Sequence, residues 1–339
     1  MNAQVSKRIT FLGFLMTCVM VMFHCGSADG AVSAADAQWV TDLAFGFDRI
    51  ANFAMGYFFT VTGFLLFHGL SFSTYPRKIK SRVTSLLVPY LSWQLLFTLP
   101  TVLRAFLRGR MPELPDWFGT VFLLQRWPPD GALWYVYAVF LLAVLSPPLL
   151  LFRRKRAAQI GVVIMVLAVY LLGAANLPPL ETLRSYGCLN NIWMYLPAYL
   201  IGAYYGAFGL ASPRALGLLA VLLGGAVVLT PFCPGILPEM ALRVLPTALL
   251  CLLPVDRIRG TARVYRLSFL MYALHEPLIP FVLRPMRQVL AQLLPYAAAV
   301  DLSGRVLYLA FDIALAAAMY VALQKVCPKL LRALTGGRG

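Results

Sequence analysis

Long apolar runs, parted by short polar or basic segments, recur along the whole chain. Ten of them come close to the roughly 20 residues that carry a helix across a hydrocarbon core. They cover about 9–24, 49–70, 83–103, 132–152, 157–176, 191–208, 214–231, 239–254, 267–283 and 305–325. Several are short or hold prolines, among them Pro89, Pro147 and Pro246, so some helices are expected to bend or start late. No internal repeat, low-complexity tract or long linker divides the sequence. The expectation is an all-α integral membrane protein of about ten transmembrane helices, with residues 1–339 forming one membrane domain.

Basic residues orient the runs. With the N-terminus in the cytoplasm, inner segments hold Lys7 and Arg8; Arg77, Lys78, Lys80 and Arg82; Arg153, Arg154, Lys155 and Arg156; and Arg214. Further inner positions are Arg257, Arg259, Arg263 and Arg266, then Lys325, Lys329, Arg332 and Arg338. These are 19 of the 29 Lys and Arg residues and include every lysine; the other ten are all arginine. The outer loop 25–48 has Asp29, Asp36, Asp42 and Asp48 and no basic residue. Ten crossings with both termini cytoplasmic satisfy the positive-inside rule.

Composition agrees. The chain is 60% hydrophobic and 12% charged, against about 25% charged in soluble domains. Its net charge of +16 would suggest nucleic acid in a soluble protein. Here the charge lies in short runs between apolar spans, which points to topology and anionic lipid headgroups, with no nucleic acid partner expected. The six cysteines form no CxxC pair and lack metal-ligand spacing to histidine, apart from the adjacent His24 and Cys25, so no zinc site is expected.

The first run, ITFLGFLMTCVMVMF, ends on His24. Fifteen residues make roughly 22 Å of helix, so the span must borrow from its flanks, and His24 falls at the far membrane boundary. An imidazole can take and return a proton near neutral pH; an interfacial histidine without chemical duty explains the same position. The run, followed by small residues around AVSAADA, also resembles a secretory leader. We expect it to be retained, because the rest of the chain is polytopic and needs no cleaved leader.

Other polar residues stand inside or beside apolar runs. His68 ends the second run and reads as interfacial. His275 and Glu276 sit side by side before Pro277, about 100° apart on a helix, so they do not simply pair with each other. Either a polar contact at a proline kink or a functional pair fits. Asp312 is a further intramembrane carboxylate.

Five stretches in order resemble the acyltransferase-3 family of integral-membrane O-acyltransferases. KRITFLGFLMTCVMVMFHC (7–25) is a basic start closing on His; RIANFAMGYFFTVTGFLLF (49–67) is similar to an FF-x-x-S-G-F signature, with Thr62 in the serine place. RKIKSRVTSLLVPYLSWQLLF (77–97) is similar to a basic loop before a P-Y-x-x-W helix. ALWYVYAVFLLAVLSPPL (132–149) is like the L-W-F/Y helix, and LSFLMYALHEPLI (267–279) like the S-F-x-x-Y-x-x-H segment. The family's basic residue eleven positions before the histidine is replaced by Gly13, and Arg8 is the nearest cation.

The resemblance implies transfer of an acyl group, usually acetyl, from cytoplasmic acyl-CoA to a hydroxyl of a cell-surface polysaccharide or lipid-linked glycan, in the cell membrane. Acyl-CoA is then a donor substrate, with no cofactor permanently bound. It places His24 in the catalytic position, as general base or acyl relay, with Arg8, Trp134, Tyr135, His275 and Glu276 around a possible pocket. CoA phosphates want cations, which Arg77, Lys78, Lys80 and Arg82 supply; a topology signal touching anionic lipid explains the same run. Trp134, Tyr135, Phe58 and Phe59 read as packing or as sugar-stacking rings. The opposing class is a proton-coupled transporter or flippase built on His275, Glu276 and Asp312. A purely structural membrane subunit would show neither chemistry nor flux.

Overall fold

A computed structural model describes residues 3–26, 37–109, 119–122, 130–151, 155–174, 189–209, 212–228, 236–248 and 263–337. Among these residues regular structure is helical throughout and no strand occurs. The first elements are α1 (Ala3–His24), α2 (Ala37–Phe67) and α3 (Tyr75–Arg82). A π-helical turn, Val83–Leu87, carries α3 directly into α4 (Val88–Leu107). A 3-10 turn, Gly131–Leu133, opens α5 (Trp134–Val144), followed by α6 (Pro147–Leu151), α7 (Arg156–Ala174), α8 (Leu189–Phe208), α9 (Pro213–Val228) and α10 (Ile236–Val244). A second such turn, Arg263–Leu267, opens α11 (Ser268–Leu293); α12 (Ala297–Val326) and α13 (Pro328–Thr335) complete the order.

Four described stretches are long and apolar enough to cross a membrane: Ala3–His24, Arg49–Phe67, Tyr75–Leu107 and Ala297–Val326. Each expected run falls wholly or partly on a helix, but several limits move. The run 132–152 is two helices, because the chain turns at Leu145 and Pro147 has no amide with which to continue the ladder. The last run starts eight positions early, at Ala297. The run 267–283 continues to Leu293 through Pro277, Pro280 and Pro285. The region around AVSAADA up to residue 36, Arg153, Arg154, Arg257, Arg259, Arg338, Cys188, Cys233 and Cys251 lie outside the described residues.

Glycines bring α2 into backbone contact with its neighbours. A Cβ on Gly63 would lie 2.1 Å from the Tyr199 carbonyl oxygen of α8, and one on Gly202 would lie 2.0 Å from that of Thr60. On the other flank, a Cβ on Gly56 would come within 1.9 Å of the Arg243 carbonyl oxygen in α10. Small residues permit such close approach, which gives dispersion contacts that lipid tails cannot match. Thr60 keeps its buried hydroxyl satisfied by donating to the Gly56 carbonyl at 2.8 Å. Asn52 fixes the register, accepting from Tyr195 at 2.7 Å and Arg243 at 3.2 Å.

Away from these contacts, α4 presents Leu95, Leu99, Leu103 and Phe106 outward, each more than half exposed. A four-residue repeat of this kind puts an apolar stripe on one helix face, as expected of a surface that meets lipid. The opposite side of α4 is tied inward. Trp93 donates from its indole to the Leu334 carbonyl at 3.0 Å, and Gln94 exchanges two 3.0 Å hydrogen bonds with the Asp130 backbone. Gly336, at φ +64°, ends α13 in the left-handed conformation that glycine adopts without strain.

Candidate active site

One face of α1 borders a cavity of about 370 Å³, within the range of small-molecule sites. Gly13 and Thr17 line it from α1, Thr62 from α2, Arg82 from the end of α3, and Arg266 and Tyr272 from the α11 region. Tyr135 closes part of the wall: its hydroxyl lies 2.7 Å from Thr62 Oγ1 and donates to the Phe58 carbonyl at 2.9 Å. Outside the adjoining backbone of α1, no atom stands within 4 Å of where a Gly13 Cβ would sit. The open volume therefore includes the position where a basic side chain was expected.

His24 is not among the lining residues. It stands seven positions beyond Thr17, about 10 Å along the helix. Between cavity and histidine lies an aromatic group. Phe58, Tyr135 and Tyr272 have ring centroids 5.7–6.3 Å apart, and Tyr272 lies 5.7 Å from His275. The His275 ring is in turn 4.9 Å from the His24 ring, tilted at 60°. Two imidazoles from opposite ends of the chain thus form one pair.

His275 is fully buried, and its Nδ1 lies 2.9 Å from the Tyr272 carbonyl. A carbonyl can only accept, so Nδ1 carries the proton and Nε2 bears the lone pair. That Nε2 is buried without a hydrogen-bond partner. Glu276 reaches the N-terminal turn of α5. There it accepts from the Ala132 amide, and a Cβ on Gly131 would be only 2.8 Å from its Oε1. A carboxylate suits the exposed amides of a helix start. Tyr272 donates to the Ala132 carbonyl at 2.6 Å, which fixes α11 against the same turn.

The basic run 77–82 divides. Arg82 lines the cavity, whereas Arg77 and Lys80 are exposed. Lys78 is used as a helix cap, its ammonium donating to the Leu66 and His68 carbonyls at 3.2 and 2.7 Å at the end of α2. Arg8 and Trp134 do not line the cavity; Trp134 packs against Phe59 and Tyr195. His68 is exposed at the α2 terminus. Asp312 is buried, with neither oxygen hydrogen-bonded. Arg266 counted in the sequence only as a topology charge, yet it faces Arg82's cavity. Tyr272 went unremarked as a wall residue, although its place three positions before His275 puts it one helical turn away.

Filling the cavity is a direct test of its use. Gly13→Leu is expected to lower at least tenfold the acyl transfer that the resemblance implies while folded yield is unchanged, since leucine is the better helix former and its Cβ meets no atom beyond its own helix. Wild-type turnover in that variant, measured as thiol release, would show that substrate passes elsewhere.

No curated protein and no solved structure matches the chain. A family model described as an acyltransferase domain does match, over residues 11–321 of 339. That span takes in α1 from its third turn, the aromatic group, both histidines and most of α12. The chain therefore belongs to the acyltransferase-3 family, and is a multi-pass membrane acyltransferase.

Proposed function

We propose that the protein moves an acyl group, commonly acetyl, from acyl-CoA to a hydroxyl of a cell-surface or lipid-linked glycan in the cell membrane. The observation that carries this reading is the cavity itself: two arginines, Arg82 and Arg266, line the space whose aromatic wall backs onto the His24–His275 pair. CoA phosphates suit guanidinium donors, and the long, nearly uncharged pantetheine arm suits a largely apolar passage. Both arginines belong to runs that the charge rule assigns to the cytoplasm, where CoA is kept. His24 then lies toward the outer face, beside the acceptor.

His24 takes the hydroxyl proton as the new C–O bond forms and the thioester C–S bond breaks, and the departing thiolate is protonated to free CoA. An alcohol is a poor nucleophile, and a positioned base contributes about 10²–10⁴-fold. Alternatively the imidazole accepts the acyl group and hands it on. Purified protein in liposomes, supplied with acetyl-CoA and a glycan acceptor, should release CoA thiol and leave an ester detectable by mass spectrometry. Asp312, buried and without a hydrogen-bond partner, favours a second reading as a proton-coupled transporter or flippase. Flux of solute without thiol release would select it.

The donor assignment makes a separate expectation. Arg82→Ala should weaken acyl-CoA binding by about 1.5–3 kcal/mol, the worth of a charged hydrogen bond, while exposed Arg77→Ala should not. Donor KM rises roughly 10- to 150-fold on that scale where chemistry is slow, and acceptor KM stays fixed. An unchanged donor KM beside a raised acceptor KM would make the basic run a topology signal.

A further inference from the structure

The last carbonyls of a helix have no partner within it. At the end of α1 they are taken by arginines from the far end of the chain. Arg305 donates to the Met22 carbonyl and, at 3.4 Å, to that of Phe23. Arg287 donates to the Cys25 carbonyl and, at 3.3 Å, to that of Gly26. The four acceptors bracket His24 on both sides.

Both guanidiniums also share one carboxylate. Asp301 Oδ2 accepts from Arg305 Nε at 2.7 Å, and Oδ1 accepts from Arg287. Asp301 is 3% exposed and Arg305 1% exposed. A missing side chain makes room for the arrangement: a Cβ on Gly304 would stand 3.2 Å from both Cγ and Nε of Arg287. Cations at a helix C-terminus oppose the negative end of its dipole.

The same face of α12 reaches the second imidazole. Tyr308, one turn beyond Arg305, donates its hydroxyl to the His275 carbonyl. That contact lies in a helix that also carries Pro277, Pro280 and Pro285. Asp301, Arg305 and Tyr308 follow at intervals of four and three, so one stripe of α12 touches the backbone at both histidines.

We propose that Asp301, Arg305 and Tyr308, with Arg287, are positioning residues that set the two imidazoles against each other. Buried ion pairs bring little net stability compared with apolar packing of the same volume, which leaves geometry as their contribution here. The guanidiniums are occupied by carbonyls and by Asp301, so the cluster is a clamp and not an anion site. Its effect on rate rests on the acyl-transfer reading; its effect on geometry does not.

Two measurements on the full-length protein in liposomes separate these. In the first, Arg305→Lys keeps the charge but loses the fork of donors, and Arg287→Lys is the milder companion at a partly exposed position. Arg305→Lys should lower kcat at least tenfold with donor and acceptor KM within twofold of wild type. In the second, His24→Cys and His275→Cys are combined, with the other cysteines replaced by serine, and joined with a bismethanethiosulfonate of about one hydrogen-bonded ring's reach. Cross-linking should slow at least fivefold when Arg305→Lys or Tyr308→Phe is added. Absence of thiol release from wild type would remove the acyl-transfer reading and leave the cross-linking to decide the clamp. Wild-type cross-linking in the Arg305 and Tyr308 variants overturns the proposal, and so does a rate loss that merely tracks loss of folded protein.

Discussion

Replacing His24 with alanine or glutamine is expected to abolish acyl transfer while the protein still inserts into the membrane. A general base is worth about 10²–10⁴-fold, and neither substitute can take a proton near neutral pH. Insertion should survive because the groups that hold this end of α1 grip its backbone: Met22, Phe23, Cys25 and Gly26 keep their carbonyls in either variant. Glutamine is the stricter control, since it preserves a polar side chain of similar length beside His275. Thiol release from reconstituted protein, normalised to monodisperse protein, gives the result. More than about a tenth of wild-type rate would be too much for a lost base and would transfer the role to His275, 4.9 Å away.

The largest effect on stability should come from the glycine seam. Gly202→Ala places a Cβ 2.0 Å from the Thr60 carbonyl oxygen, and Gly63→Ala places one 2.1 Å from that of Tyr199. Both obstacles are backbone, so no rotamer change relieves them and α2 and α8 must separate. The separation undoes the contacts of Phe59 with Tyr195 and of Phe67 with Tyr199, which span the same interface. Overpacking ordinarily costs roughly 1–3 kcal/mol, and a clash with backbone belongs at or above the top of that range. Gly217→Ala, on α9 with nothing within 4 Å, should be neutral. The comparison is made on monodisperse yield and melting in detergent. Wild-type melting of Gly202→Ala would mean that the helices do not meet in this way.

How much of this was legible depends on the range of each interaction. Apolar runs are local, and all ten expected ones fall on helices at least in part. The resemblance put His275 by the same possible pocket as His24 but not ring against ring with it, because nothing in either stretch encodes the other. Charge runs were ambiguous for a physical reason: a lysine capping a helix, an arginine lining a cavity and one exposed at the surface are the same letters. Lys78, Arg82 and Arg77 take these three environments within six residues. Arg287 and Arg305 were counted as outer-side charges because their partners are carbonyls, which every residue has. A signal was present there, since Asp301 and Arg305 are spaced four apart, as helical ion pairs are. The seam also left a trace, with Gly202 and Gly206 at the four-residue spacing of close helix contacts.

The clamp on α1 has a consequence for the order in which the protein is made. Arg305 reaches back 283 positions to Met22, and Trp93 takes its acceptor 241 positions ahead at Leu334. At roughly 5–20 residues per second, the ribosome needs on the order of tens of seconds between making His24 and making the arginines that hold it. During that interval the end of α1 lacks the arginines that take the Met22, Cys25 and Gly26 carbonyls. A chain halted before α12 would therefore carry His24 without Asp301, Arg305 and Tyr308. The contacts that hold the His24 end of α1 and the His275 carbonyl are thus completed only late in translation.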